Sequence, residues 1–171
     1  VRAQKLIILG DLFHNRHALT TAGQDFLQWR LSRPSLEIVL IPGSHDRWTG
    51  RLPESWDITV TPEVFLQPPF AYQHYPEPIK NYYTLCGHLH PGVVLRGPGE
   101  ESLRLPCFYF GSRVGMLPAF GEFTGAVPIK PEQEGGVYAV ADNTVVTVKP
   151  LANQPTGCPG KTGLVNRRER E

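Results

Sequence analysis

The chain has 171 residues, enough for one domain with a sizeable core, and its 17 Lys and Arg against 16 Asp and Glu leave a formal charge of +1. So even a balance gives no broad basic field, and charge alone makes no case for nucleic-acid binding. Three cysteines without CxxC spacing, Cys86, Cys107 and Cys158, argue against a disulfide framework or a zinc knuckle. No run approaches the roughly 18 apolar residues of a membrane span, and the start carries no signal-peptide pattern, so the expected setting is a reducing cytoplasm.

In chain order, Leu6 to Leu9 is a short branched apolar run closed by Gly10-Asp11, which predicts a strand buried on both faces with Asp11 at its carboxyl end. Residues Thr20 to Ser32 place Phe26, Leu27, Arg30 and Leu31 at helical spacing, and Pro34 forbids continuation. Leu36 to Ile41 is a second apolar run, followed by Pro42-Gly43-Ser44-His45-Asp46. Two strands joined through a helix predict a βαβ unit whose ligand site lies beyond the carboxyl ends of its strands.

Beyond Leu52 the pattern changes to short strand-like pieces: Ile58 to Val60, Val64 to Leu66, Phe70 to His74, Tyr82 to Cys86, Val93 to Leu95, Leu103 to Phe110, Gly136 to Ala141 and Thr144 to Val148. Asp142-Asn143 reads as a hairpin turn. Helices are few here, so two packed sheets with helices outside are expected. The domain is predicted over residues 1–149, and the polar, Pro- and Gly-rich residues 150–171 read as a disordered tail.

Six histidines, at 14, 17, 45, 74, 88 and 90, fall mostly in loops after apolar runs. The pair His88-Leu89-His90 would, in an extended chain, hold two imidazoles on one side about 6.5 Å apart. Singly, each residue has an ordinary structural reading: Asp11 as a turn cap, His45-Asp46 as a surface turn, His74 as a loop residue. Together, Asp11, His14, Ser44, His45, Asp46, His74, His88 and His90 form an ordered set of polar residues at strand ends. Carboxylates and imidazoles without thiolate suit Mn, Fe or Zn, and such a site activates water and holds a phosphoryl oxygen, so hydrolysis of a phosphate ester is the natural reaction.

GDLFH (10–14), PGSHDR (42–47), the lone His74 and CGHLHP (86–91) resemble the ordered motifs of the calcineurin-like metallophosphoesterases. GDLFHNR, the RLPCF segment at Arg104 to Phe108 and LPAFGEFTG at Leu117 to Gly125 are similar to the bacterial ligase-associated DNA damage response endonucleases. The resemblance implies an α/β fold, a β-sandwich of two mixed sheets flanked by helices. It implies Asp11 as the carboxylate bridging two metals, with His74 and His88 on the second and His90 on the first. His45 would protonate the leaving oxygen, His14 would orient His45, and Asp46 and Arg47 would support the same loop. The implied cofactor is a divalent metal, Mn first, with Fe, Zn or Mg as alternatives; the implied substrate is a phosphodiester such as DNA, and the implied partners are DNA ligase-associated repair proteins.

The sequence departs from that family at two points. The opening D-x-H motif is absent, as though the first strand were missing, and Ser44 stands where the family has Asn, a weak ligand at best. One metal or fewer is therefore expected, and a nuclease of doubtful activity in DNA repair is the leading reading. A non-catalytic remnant serving as a metal clip or interaction domain is the rival, and a phosphomonoesterase or cyclic-nucleotide phosphodiesterase is the third.

Overall fold

The protein is described by a computed structural model, which covers residues 3–13, 16–48, 50–96, 102–121, 124–129 and 135–148. The expected tail at 150–171 lies outside the described residues. What is described is β-rich, with two sheets and two short α-helices.

The first sheet has three strands in the order β1 (Lys5–Ile8), β2 (Glu37–Leu40) and β3 (Ile58–Val60), all parallel. Among the described residues this sheet is parallel throughout, where a mixed one was expected, and the mixed pairing lies in the second sheet. Its central strand carries Ile38, Val39 and Leu40, each no more than 2% exposed, so the unbroken apolar run of β2 reflects burial on both faces. The like expectation for β1 fails: it pairs only with β2 among the described residues, Lys5 and Leu6 are exposed, and Ile7 and Ile8 are half-buried. An edge position removes the cover that two-faced burial requires.

The crossover between β1 and β2 is two helices, α1 (Arg16–Thr21) and α2 (Gly23–Leu31), where one was expected from Thr20 to Ser32. The chain turns at Ala22, and a Cβ at Gly23 would stand 3.0 Å from the Trp56 ring, so the start of α2 is pressed against that indole. Phe26 and Phe13 pack on the same ring, with centroids 4.9 and 5.3 Å away. Buried Arg30 donates to the carbonyls of Trp56 (3.2 Å) and Arg33 (2.6 Å) and pairs with Asp57, tying α2 to the entry of β3. A guanidinium meets this demand because it presents several donors in one plane.

The second sheet has nine strands and is mixed. Its main path runs β10 (Val127–Pro128), β7 (Pro91–Arg96), β8 (Ser102–Phe110), β9 (Val114–Met116), β6 (Tyr83–Cys86), β5 (Phe70–Gln73) and β4 (Val64–Gln67). The terminal hairpin β11 (Gly136–Ala141) and β12 (Thr144–Val148) joins it through β11. Strand β8 changes partner midway: Ser102 to Pro106 lie along β7, and Cys107 to Phe110 along β11. Around that change sits a core of Val93, Cys107, Tyr109, Val137 and Ala139, with Leu105, Met116 and Val148 packed against it. Strands β9 and β10, which no apolar run announced, complete the sheet. Among the described residues no helix is long and apolar enough to cross a membrane.

Candidate metal centre

The two sheets meet where the loops after β1 and β2 face those after β5 and β6. The β1 loop begins with Gly10 at φ +90 and Asp11 at φ 54, a left-handed turn that aspartate tolerates better than most residues. A Cβ on Gly10 would fall 2.4 Å from His74 Nδ1 and 2.8 Å from the Gly43 Cα. One on Gly43 would fall 2.3 Å from Asp11 Oδ1. Only glycine lets these backbones approach so closely.

Asp46 joins the two loops. Its Oδ2 accepts from the backbone N–H of Asp11 (2.6 Å) and of Gly43 (2.9 Å), and its Oδ1 from that of Phe13 (3.3 Å). A carboxylate accepting several backbone N–H groups makes charge-assisted hydrogen bonds, stronger than neutral ones. Asp11 is thereby held with its own carboxylate turned to the second loop, where Oδ1 accepts from the His45 N–H (2.8 Å) and both oxygens lie 3.4 Å from the Ser44 Oγ.

The imidazoles come from the other sheet. His74 follows β5 and is 2% exposed; its Nδ1 lies 2.8 Å from the Leu9 carbonyl, which can only accept a hydrogen bond. That bond fixes the tautomer and leaves the Nε2 lone pair facing inward, 3.4 Å from Asp11 Oδ2 and 3.0 Å from His88 Nδ1. Tyr75 packs edge-on against both rings, with centroids 4.9 Å from His74 and 4.7 Å from His88. Burial pushes the His88 imidazole below its ordinary titration range and the His74 ring adds to this, while the Asp11 carboxylate opposes it.

The ligand atoms of Asp11, His74 and His88 all lie within 4.8 Å of one another, one carboxylate oxygen and two imidazole nitrogens. The set fits a divalent ion of intermediate hardness: the donors converge, the tautomer of His74 is locked, and a carbonyl stands behind it as metal-binding histidines require.

The other expected residues fall differently. The segment from Gly87 to His90 is a turn between β6 and β7, with His88 at φ 60 and His90 at φ 47, so the extended spacing assumed for the His-x-His pair does not apply. Among the described residues His88 joins Asp11 and His74, the set expected on the second metal, while His90, expected on the first, lines a cavity of about 370 Å³ with Arg104, Thr124 and Gly125. Left-handed non-glycine residues cost roughly 1–3 kcal/mol each, and two within three residues mark a turn over-determined by its surroundings. Arg47 reaches outward to Glu63 in an exposed ion pair. His45 is half-buried and near enough to lower the His88 titration slightly. His14 lies outside the described residues. The Leu9 carbonyl and the two close glycines carried no individual signal in the sequence, since backbone acceptors and close approaches appear only once the loops are folded.

A solved nuclease shares this architecture. The crystal structure of Pseudomonas putida nuclease MPE superposes with a TM-score of 0.73 at 45% sequence identity, covering 80% of this chain and 66% of that one. The chain thus spans slightly less than two thirds of that nuclease's length. No protein-family model and no curated protein matches the sequence.

Proposed function

We propose that the chain is a metal-dependent phosphodiesterase of nuclease type on a metallophosphoesterase-like α/β scaffold, acting on DNA in a cytoplasmic repair setting. The observation that carries the reading is the convergence of Asp11, His74 and His88 at the junction of the two sheets. Similarity to a nuclease at 45% identity supports the substrate class, and the ordered motifs support manganese and the link to repair.

Bound there, a divalent ion supplies Lewis acidity toward a phosphoryl oxygen and a nucleophile at neutral pH. The chain's own residues do the rest. Asp11 and His88 hold the position, the Leu9 carbonyl keeps His74 in its donor tautomer, and Asp46 keeps the Asp11 loop closed over it. His45, whose backbone N–H is already anchored on Asp11, carries the proton for the leaving oxygen in this reading. His90 takes no part in this three-donor group.

The test is hydrolysis of bis(p-nitrophenyl) phosphate and of a DNA oligonucleotide by the folded chain with added Mn. Mn-dependent cleavage of both, faster than that of p-nitrophenyl phosphate and lost in His74→Ala, is expected. A folded, metal-loaded chain that cleaves neither diester contradicts the proposal. One observation favours a second reading, in which the metal is a clip without turnover: a single three-donor group converges among the described residues, and Ser44 offers it only a hydroxyl. In that case Mn raises the melting temperature and no diester is cleaved.

A further inference from the structure

The segment from Leu117 to Val127 is anchored at both ends to the turn that presents His88 and His90. The Leu117 N–H donates to the Cys86 carbonyl (2.9 Å), just before the turn, and the Val127 N–H donates to the His90 carbonyl (3.0 Å), at its end. Both ends of the segment are therefore tied to the turn that carries His88 and His90. Of the residues between, Ala119, Gly121, Thr124, Gly125 and Ala126 line the cavity that also receives His90 and Arg104. Phe120, between two lining residues, has 108% of its reference exposure.

A wholly exposed phenylalanine on a tethered loop forgoes the gain that burying its ring would bring. Arg104, which lines the same cavity as the residues flanking Phe120, is cationic: it sits on β8 opposite Val94, and among the described residues its guanidinium makes no ion pair. An aromatic face and a fork of N–H donors by that turn match the two parts of a nucleotide, a flat base and an anionic phosphate.

We infer that Phe120 is a stacking platform for a nucleobase and that Arg104 receives a phosphate, so that these two residues seat the strand by the turn that presents His88 and His90. The inference rests on the nucleolytic reading and goes beyond it by naming residues that position the substrate without touching the metal.

The test is equilibrium binding of the full chain, treated with chelator so that no strand is cut, to a short oligothymidylate and to an abasic oligonucleotide with the same number of phosphates. The unmodified chain is expected to favour the oligothymidylate about tenfold, within the range of one base stacking on an aromatic side chain. Phe120→Ala erases that preference and Phe120→Trp keeps it; because the ring is fully exposed, neither change disturbs the fold. Arg104→Gln weakens both oligonucleotides alike and flattens the salt dependence. A preference that survives Phe120→Ala, or none in the unmodified chain, overturns the stacking platform while leaving diester hydrolysis standing. A chain that binds neither oligonucleotide overturns both the platform and the choice of nucleic acid as substrate.

Discussion

The two sheets make unequal contributions to one small site. The three-stranded parallel sheet gives it the carboxylate Asp11 and the hydrogen-bonded loops that aim it, and these loops depend on left-handed and glycine backbone. The nine-stranded mixed sheet gives it two imidazoles, one fixed by a carbonyl of the first sheet and the other by a strained turn. Neither sheet holds three donors by itself. The centre is therefore a seam, and its ligands report on the docking of the sheets as well as on the metal.

Four changes break or sharpen that contrast. The largest effect is expected from Asp11→Ala, which removes the only carboxylate of the three-donor group: Mn affinity, measured by isothermal titration, should fall by more than about 100-fold, beyond the 10–100-fold usual for outer supporting partners. Next comes Asp46→Ala, which touches no ligand atom directly but leaves the N–H groups of Asp11, Gly43 and Phe13 without their acceptor. Denaturant unfolding should show a loss of about 2–4 kcal/mol, and Mn affinity should fall by roughly 10–100-fold.

Ser44→Asn works in the opposite direction, because an amide oxygen reaches farther than a hydroxyl now 3.4 Å from Asp11. Mn affinity is expected to rise severalfold, about the value of one added oxygen donor. The smallest effect concerns the two buried thiols. Burial pushes Cys86 up to about 12 and Cys107 up to about 11, above the ordinary thiol value of 9.0. The unfolded chain thus releases these protons first, and stability is expected to be intact below pH 9 and to decline as pH rises toward 11 and 12. In the folded state both thiols should resist iodoacetamide at pH 8, read by mass spectrometry of the peptides that contain them.

Much of this seam could be read from the sequence, for a physical reason. Apolar runs of branched residues mark strands buried in a sheet, and the polar residues that end them must lie along its carboxyl edge, so Asp11, Ser44, His45 and His74 fell at strand ends as expected. The hairpin turn at Asp142-Asn143 also lies where turn chemistry puts it, with Asp142 at φ 49. What stayed hidden depends on distant partners. The exposure of β1 follows from its having one neighbour, and the break at Ala22 from the Trp56 ring against Gly23. Strands β9 and β10 are two or three residues long and are defined by pairing, which no local pattern encodes. The left-handed backbone at both His88 and His90 is likewise something two ordinary histidines do not announce.

The central claim is that one ion is held at the junction of the sheets by Asp11, His74 and His88. Its most direct test is metal stoichiometry, by elemental mass spectrometry of the purified chain after reconstitution with Mn and removal of excess ion. One Mn per chain, lost in His88→Ala and retained in His90→Ala, is the expected result. Two ions per chain, none, or one that survives His88→Ala, would contradict it.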